Sequence, residues 1–273
     1  MPQVHQIAQQ GFGTGTNELY DSARPSYQSA ALSEIRRAVD VKGNINVAEI
    51  GSGTGIFTRA LLNHNDWATD IGRLHTVEPS EGMRETFAKL LQDERVSVSE
   101  GTFEKTGIED GWADVVIIAQ AFHWCADYDQ ACREFARILK PEGVVALIWN
   151  LEDRDGAKWV AELRDTYEQH EAGTPQFRKD LWRQTFATPG YLEFFKPPIE
   201  KVWTYTLNAT VESVVNRVLS KSYVAVLPEE EKLQVQDNVR TIVGRGDGKI
   251  WIDEDKGVFE YPYKTWVVLA HRL

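Results

Sequence analysis

The stretch Ile45-Asn46-Val47-Ala48-Glu49-Ile50-Gly51-Ser52-Gly53-Thr54-Gly55 decides the fold. Its first six residues are a short apolar run that predicts a strand, and Phe57, Leu61 and Leu62 beyond the glycines have the spacing of an inward helix face. Glycines between a strand and a helix permit a tight turn and a close approach of backbone to a ligand. A purely structural turn needs one glycine, whereas this one has three at alternate positions. Outward from it the same rhythm repeats. Strands are predicted at Leu74 to Val77, Val96 to Val98, Asp114 to Ala119 and Val144 to Trp149. Between them lie the helical stripes Met83, Phe87, Leu90, Leu91 and Ala131, Cys132, Phe135, Ile138, Leu139, the first capped by Ser80 and the second stopped by Lys140-Pro141-Glu142-Gly143. Alternating strands and helices predict an α/β fold, a Rossmann-like mixed sheet of seven strands with helices on both faces.

After residue 150 the rhythm changes. Helical faces are expected from Trp159, Leu163 and Tyr167, and from Phe177, Leu181 and Trp182, before a sixth strand at Val202 to Leu207. Two more helices follow, with Val211, Val214, Val215, Val218 and then Val235, Val239, Ile242, Val243, and Thr265 to Ala270 closes the sheet as the seventh strand. Because that strand needs the first five, the late helices read as insertions in one domain spanning 1–273: a helical cap over 1–40, a core over 41–150, and lid helices with the last two strands over 151–273.

Among 273 residues, 30 Lys and Arg stand against 41 Asp and Glu, a net charge of −11, which argues against a nucleic-acid partner. No apolar run approaches the length of a membrane span, and Met1 to Gln10 lacks the pattern of a signal peptide. The two cysteines, Cys125 and Cys132, fall seven apart in a stretch read as helix and are not expected to pair, which suits a reducing, cytoplasmic setting. No His/Cys cluster suggests a metal. Glu229-Glu230-Glu231 reads as a helix start and Asp253-Glu254-Asp255 as a solvated loop. A second glycine-rich segment, Gly11 to Gly15, has no strand before it and reads as a flexible N-terminal stretch.

The dinucleotide fingerprint GxGxxG would place its third glycine at position 56, which is Ile56. The chain has GxGxG instead, with Glu49 two residues ahead, and it resembles the first motif of class I S-adenosylmethionine-dependent methyltransferases. A cofactor with an ammonium and a sulfonium favours acceptors and carboxylates over a phosphate cradle. Glu78, ending the second strand, is placed to accept the ribose hydroxyls in either kind of site. The resemblance extends through Pro79-Ser80-Glu81-Gly82-Met83 and Glu100-Gly101-Thr102-Phe103, the segments that flank adenine in the family; the acidic residue usual near the adenine amine is absent, with Thr102 in its place. Ala119-Gln120-Ala121-Phe122-His123-Trp124, Leu147-Ile148-Trp149-Asn150 and Arg24-Pro25-Ser26-Tyr27 resemble the small-molecule branch that includes ubiquinone-pathway and trans-aconitate methyltransferases, over roughly residues 20 to 150. It implies S-adenosyl-L-methionine as cofactor and S-adenosyl-L-homocysteine as product. It also implies that Tyr20, Arg24, Glu49, Gly51, Ser52, Gly53, Gly55, Glu78, Pro79, Met83, Thr102, Phe103 and Gln120 serve the cofactor.

His123 is the candidate general base, at the sheet edge where open α/β folds bind ligands. Tyr27 and Trp124 are expected to line the substrate pocket; Trp149, Trp159 and Trp182 are open between pocket and core. The acceptor is a small molecule with an O, S or N nucleophile, and an anionic one would draw on Arg24, Arg178, Lys179 or Arg183. The alternatives are a nicotinamide-dependent oxidoreductase and a binding module without turnover.

Overall fold

A computed structural model describes residues 17–245 and 248–273; the Gly11 to Gly15 segment lies outside them. The elements, in chain order, are α1 (Asn17–Ala23), α2 (Ser29–Ala38), β1 (Ile45–Ile50), α3 (Ile56–Leu62), β2 (Ile71–Val77), α4 (Glu81–Leu90), β3 (Val96–Ser99), β4 (Ala113–Ala119), α5 (Tyr128–Ile138) and β5 (Leu139–Glu152). The second half adds α6 (Lys158–Glu168), α7 (Pro189–Phe194), β6 (Ile199–Ala209), α8 (Val211–Leu219), α9 (Ser222–Ala225), α10 (Glu229–Gly244), β7 (Trp251–Asp253) and β8 (Val258–His271).

The sheet runs β3-β2-β1-β4-β5-β8-β6, with β7 paired to β8 off this path. β1 to β5 are parallel, and β8 inserts antiparallel to both β5 and β6, with Trp149 opposite Trp266 and Trp203 opposite Thr265. All seven residues of β4 are buried, as a central strand covered on both faces requires. Alternation divides them: Val116 and Ile118 join Ala48, Ile50 and the α5 residues Cys132 and Phe135 on one face, while Val115 and Ile117 join Val47, Ile35, Phe57 and Leu61 on the other. A third apolar cluster holds the late helices together: Trp159, Leu163, Val214, Val218, Val235 and Val239 pack on Phe259 and Tyr261 of β8. Thus the second half of β8 completes the sheet, and its first half carries the late helices.

Four readings change. The sheet has an eighth strand, β7, a three-residue hairpin partner of β8. The helix expected around Phe177 to Trp182 is two 3₁₀ segments, Phe177–Lys179 and Leu181–Ala187, separated at Asp180, whose φ of +57° ends helical propagation. Lys140-Pro141-Glu142-Gly143 does not precede β5 but forms a bulge inside it: Ala113 pairs with Leu139 and Val115 already with Val144. Cys125 lies before α5 rather than on it; both cysteines are free, buried thiols. No helix among the described residues is long and apolar enough to cross a membrane.

Candidate active site

Strand order reverses between β1 and β4, so the loops leaving their carboxyl ends diverge and open a crevice between them. The glycine turn fills one side. Gly51 and Gly55 have φ of +75° and +84°, and an added Cβ would sit 2.7 Å from Ala121 Cβ in the first case and 2.7 Å from the Phe87 ring in the second. Glu78 locks the turn to the end of β2: one carboxylate oxygen accepts from the Gly53 amide at 2.9 Å and the other from the Ser80 amide at 2.8 Å. A carboxylate has about four acceptor positions, so two remain for a ligand. On the other side, Gln120 ends β4 with φ +56°, a left-handed conformation that costs a non-glycine residue about 1–3 kcal/mol. Its side-chain amide donates to the Asn150 carbonyl at 2.7 Å.

These elements enclose a cavity of about 360 Å³. It brings together Tyr20, Arg24, Glu49, Gly51, Ser52, Gly53, Glu78, Pro79, Met83, Thr102, Phe103 and Gln120, every residue expected at the cofactor except Gly55, which sits behind the turn as the N-cap of α3; Tyr27 and Trp124 line it too. Three buried polar atoms on residues of this wall have no hydrogen-bond partner among the described residues: Glu49 Oε1, Ser52 Oγ and Thr102 Oγ1. Glu49 Oε2 is taken by the Thr58 hydroxyl at 2.6 Å. Burial pushes the Glu49 carboxyl up to about 8, with Glu78 nearby adding to the shift, and burial raises Glu78 as well, against its two amide donors. On this wall burial outweighs the neighbouring Arg59 and Arg84 and disfavours the charged form of both carboxylates.

A second, smaller cavity of about 70 Å³ adjoins the first, sharing Tyr20, Arg24, Gln120 and Trp124 with it. His123 lines this inner cavity, not the outer one. Its Nδ1 lies 3.3 Å from Trp149 Nε1. Indole nitrogen only donates, so Nδ1 accepts and the ring proton sits on Nε2. Burial and the nearby Arg24 lower the imidazole to about 3, so His123 is neutral and offers an N–H rather than a lone pair. Trp149 itself packs in a three-ring cluster with Phe177 and Trp182, with ring centroids at 4.7 and 4.6 Å, and Trp159 belongs to the third cluster. All three tryptophans are core. Arg183 is bound to Asp180 and Glu200 and lines neither cavity.

Sequence reasoning missed Asp21, whose Oδ1 accepts from the Thr54 hydroxyl and from Arg59, each at 2.6 Å, and so ties α1 to the glycine turn. It also missed Glu152, Arg217 and Lys221, which meet only in the folded chain.

Residues 48–147 match a family described as a methyltransferase domain. An uncharacterized methyltransferase-like protein of Schizosaccharomyces pombe is 28% identical over 218 residues, 79% of each chain. Among solved structures, the YcgJ protein of Bacillus subtilis shares the fold at a TM-score of 0.54 and 16% identity, over 89% of this chain and 98% of that one. Phosphoethanolamine N-methyltransferase 2 of Haemonchus contortus, solved with phosphomonomethylethanolamine and S-adenosylhomocysteine, does so at 0.52 and 14% identity, over 94% and 56%. The sheet in which β8 lies antiparallel between β5 and β6 thus has the Rossmann-like fold of these solved structures, and residues 48–147 within it are similar to a methyltransferase domain.

Proposed function

We propose that the chain transfers a methyl group from S-adenosyl-L-methionine to a small-molecule acceptor, as an enzyme of class EC 2.1.1. The observation that carries this reading is the trio of unpartnered buried atoms around the outer cavity, Glu49 Oε1, Ser52 Oγ and Thr102 Oγ1. Buried polar groups without partners are costly, and these three match a ligand with a cation at one end and a purine amine at the other. Glu49 would take the ammonium, the free acceptor positions of Glu78 the ribose hydroxyls, and Thr102 the adenine edge between Phe103, Pro79 and Met83. When bound, S-adenosyl-L-methionine supplies a sulfonium methyl that an O, S or N nucleophile takes by in-line displacement, leaving S-adenosyl-L-homocysteine. Because the leaving group is already activated, alignment and exclusion of water matter more than a base, and His123 with its N–H toward the inner cavity suits substrate orientation better than proton abstraction. Tyr20, Arg24, Gln120 and Trp124, common to both cavities, would frame the transfer point. The helices within 17–40 and 151–273 would act as cap and lid over the 41–150 core.

Calorimetric titration with S-adenosylhomocysteine tests the reading. Binding is expected, weakened in Glu78→Ala by about 1.5–3 kcal/mol, the worth of hydrogen bonds to a charged group. Absence of heat from folded protein would overturn it.

A further inference from the structure

In a chain of net charge −11, the inner cavity is an island of positive charge. Three buried cations converge there. Arg217 and Lys221 both contact Glu152, at 3.0 Å each, and Arg24 donates to the Ser220 carbonyl at 2.8 Å. Among the described residues Glu152, just behind the wall, is their one carboxylate partner. The two acids that line the cavity are already answered: Glu168 by Arg164 and Arg178 at 2.7 and 3.1 Å, Glu171 by Arg178 and Lys179 at 2.6 and 3.1 Å. The lining itself carries four cations, Arg24, Arg178, Arg217 and Lys221, against two carboxylates, Glu168 and Glu171, and counting Glu152, Arg164 and Lys179 behind it the network holds six cations against three carboxylates. Burial and Arg217 press Lys221 well below the usual lysine range, and burial and Arg217 lower Arg24 too. Two donors on this wall also lack any partner among the described residues, Arg24 Nε and the Tyr167 hydroxyl, and His123 adds its Nε2–H.

We propose that the inner cavity is an oxyanion-binding subsite, so that the methyl acceptor is a small organic anion whose carboxylate or phosphate is held by Arg24, Arg217 and Lys221 with Tyr167 and His123 donating. The proposal rests on the reading above for the identity of the outer cavity. Net positive charge in a dry pocket is stabilised by an anion far more than by water, and unpartnered N–H and O–H groups turn that attraction into geometry. A space of about 70 Å³ takes the charged end of a molecule rather than all of it, which leaves the reacting atom at the neck beside Gln120 and Trp124.

The test titrates succinate, inorganic phosphate, neutral succinamide and cationic choline into protein saturated with S-adenosylhomocysteine, by calorimetry and tryptophan fluorescence. Succinate or phosphate is expected to saturate, with the tighter of the two naming the source of the oxyanion, and succinamide and choline are expected not to. Lys221→Met should weaken the anion about tenfold or more, as loss of a charge-assisted bond does. Tyr167→Phe removes a hydroxyl that has no partner among the described residues and should weaken it about threefold. Both variants should bind S-adenosylhomocysteine as the parent does. If Lys221→Met does not fold, Tyr167→Phe decides. Anions that fail to saturate protein that does bind S-adenosylhomocysteine, neutral or cationic probes that bind equally well, or variants that bind anions like the parent would each overturn the subsite. Failure of S-adenosylhomocysteine to bind would instead strike the cofactor reading, and anion binding with its Tyr167→Phe loss would still be read by itself.

Discussion

Glu49 and Glu152 are the same residue type, both buried, and their environments drive them in opposite directions. Burial lifts Glu49 to about 8, more than the Thr58 hydroxyl and the charge of Arg59 pull it down. Burial also acts to raise Glu152, but Arg217 and Lys221 outweigh it and hold the carboxylate below its usual range. The difference teaches that burial alone does not set the charge of a site; the nearest partners do. At the glycine turn of the outer cavity the carboxylates Glu49 and Glu78 have no ion pair among the described residues and fit a cationic ligand, while the inner cavity has positive charge to spare. Two pockets in contact, of opposite appetite, are what transfer between a sulfonium donor and an anionic acceptor would need.

The sharpest way to break this contrast is Glu152→Gln. It leaves Arg217 and Lys221 buried with no counter-charge, and removing one partner of a buried pair costs about 3–5 kcal/mol. Urea denaturation should show a loss of that size; a loss below about 1 kcal/mol would mean that the cations are solvated and the contrast is false. Next in size is Glu49→Gln. At neutral pH a carboxyl near 8 is mostly protonated, so the amide imitates it and the ligand-free protein should keep its stability, while cofactor affinity falls by about 1.5–3 kcal/mol for want of a charged acceptor. The pH dependence follows from the same shift. Free protein holds the Glu49 proton up to about pH 8, whereas a bound ammonium favours the carboxylate. Affinity for S-adenosylhomocysteine therefore rises with pH between about 6 and 8, by up to tenfold per unit, with protons released into the buffer. In Glu49→Gln Glu49's share of that slope should vanish. The sign for the ligand-free protein is opposite: its raised carboxyl makes stability fall as pH climbs from the unfolded value near 4.5 toward 8. The smallest effect expected is that of Asp21→Ala, about 1 kcal/mol for two partly exposed bonds. It should appear as faster amide exchange in α1 and a few-fold weaker cofactor binding.

The outer cavity was legible because its residues stand at strand ends, and strand ends are marked by periodicity: Glu49, Gly51, Glu78 and Gln120 each follow an apolar run that only a sheet explains. Gly55 was legible as part of the turn but not as a residue facing away from the ligand, since that depends on the Phe87 ring behind it. The inner cavity was not legible. Glu152, Arg217 and Lys221 come from three elements, and the Lys221–Glu152 contact spans 69 residues. In sequence each is an ordinary charge. His123 could be found by position, but its tautomer depends on Trp149, 26 residues away. β7 was hidden by its brevity, and the first half of β8 by Pro262, which reads as a strand breaker and yet faces Thr206 across the sheet.

The hydrogen bond from Arg24 to the Ser220 carbonyl joins residues 196 apart in the chain. On the ribosome Arg24 emerges early and then waits. At ~5–20 residues per second, roughly 10–40 s pass before its partner is made. Through that interval the strands around the glycine turn can pair, but the wall shared by the two cavities stays open. A nascent chain therefore has its glycine turn exposed to the cell before it can shut anything inside, and ligand-assisted folding would have to wait until Ser220 has been synthesised.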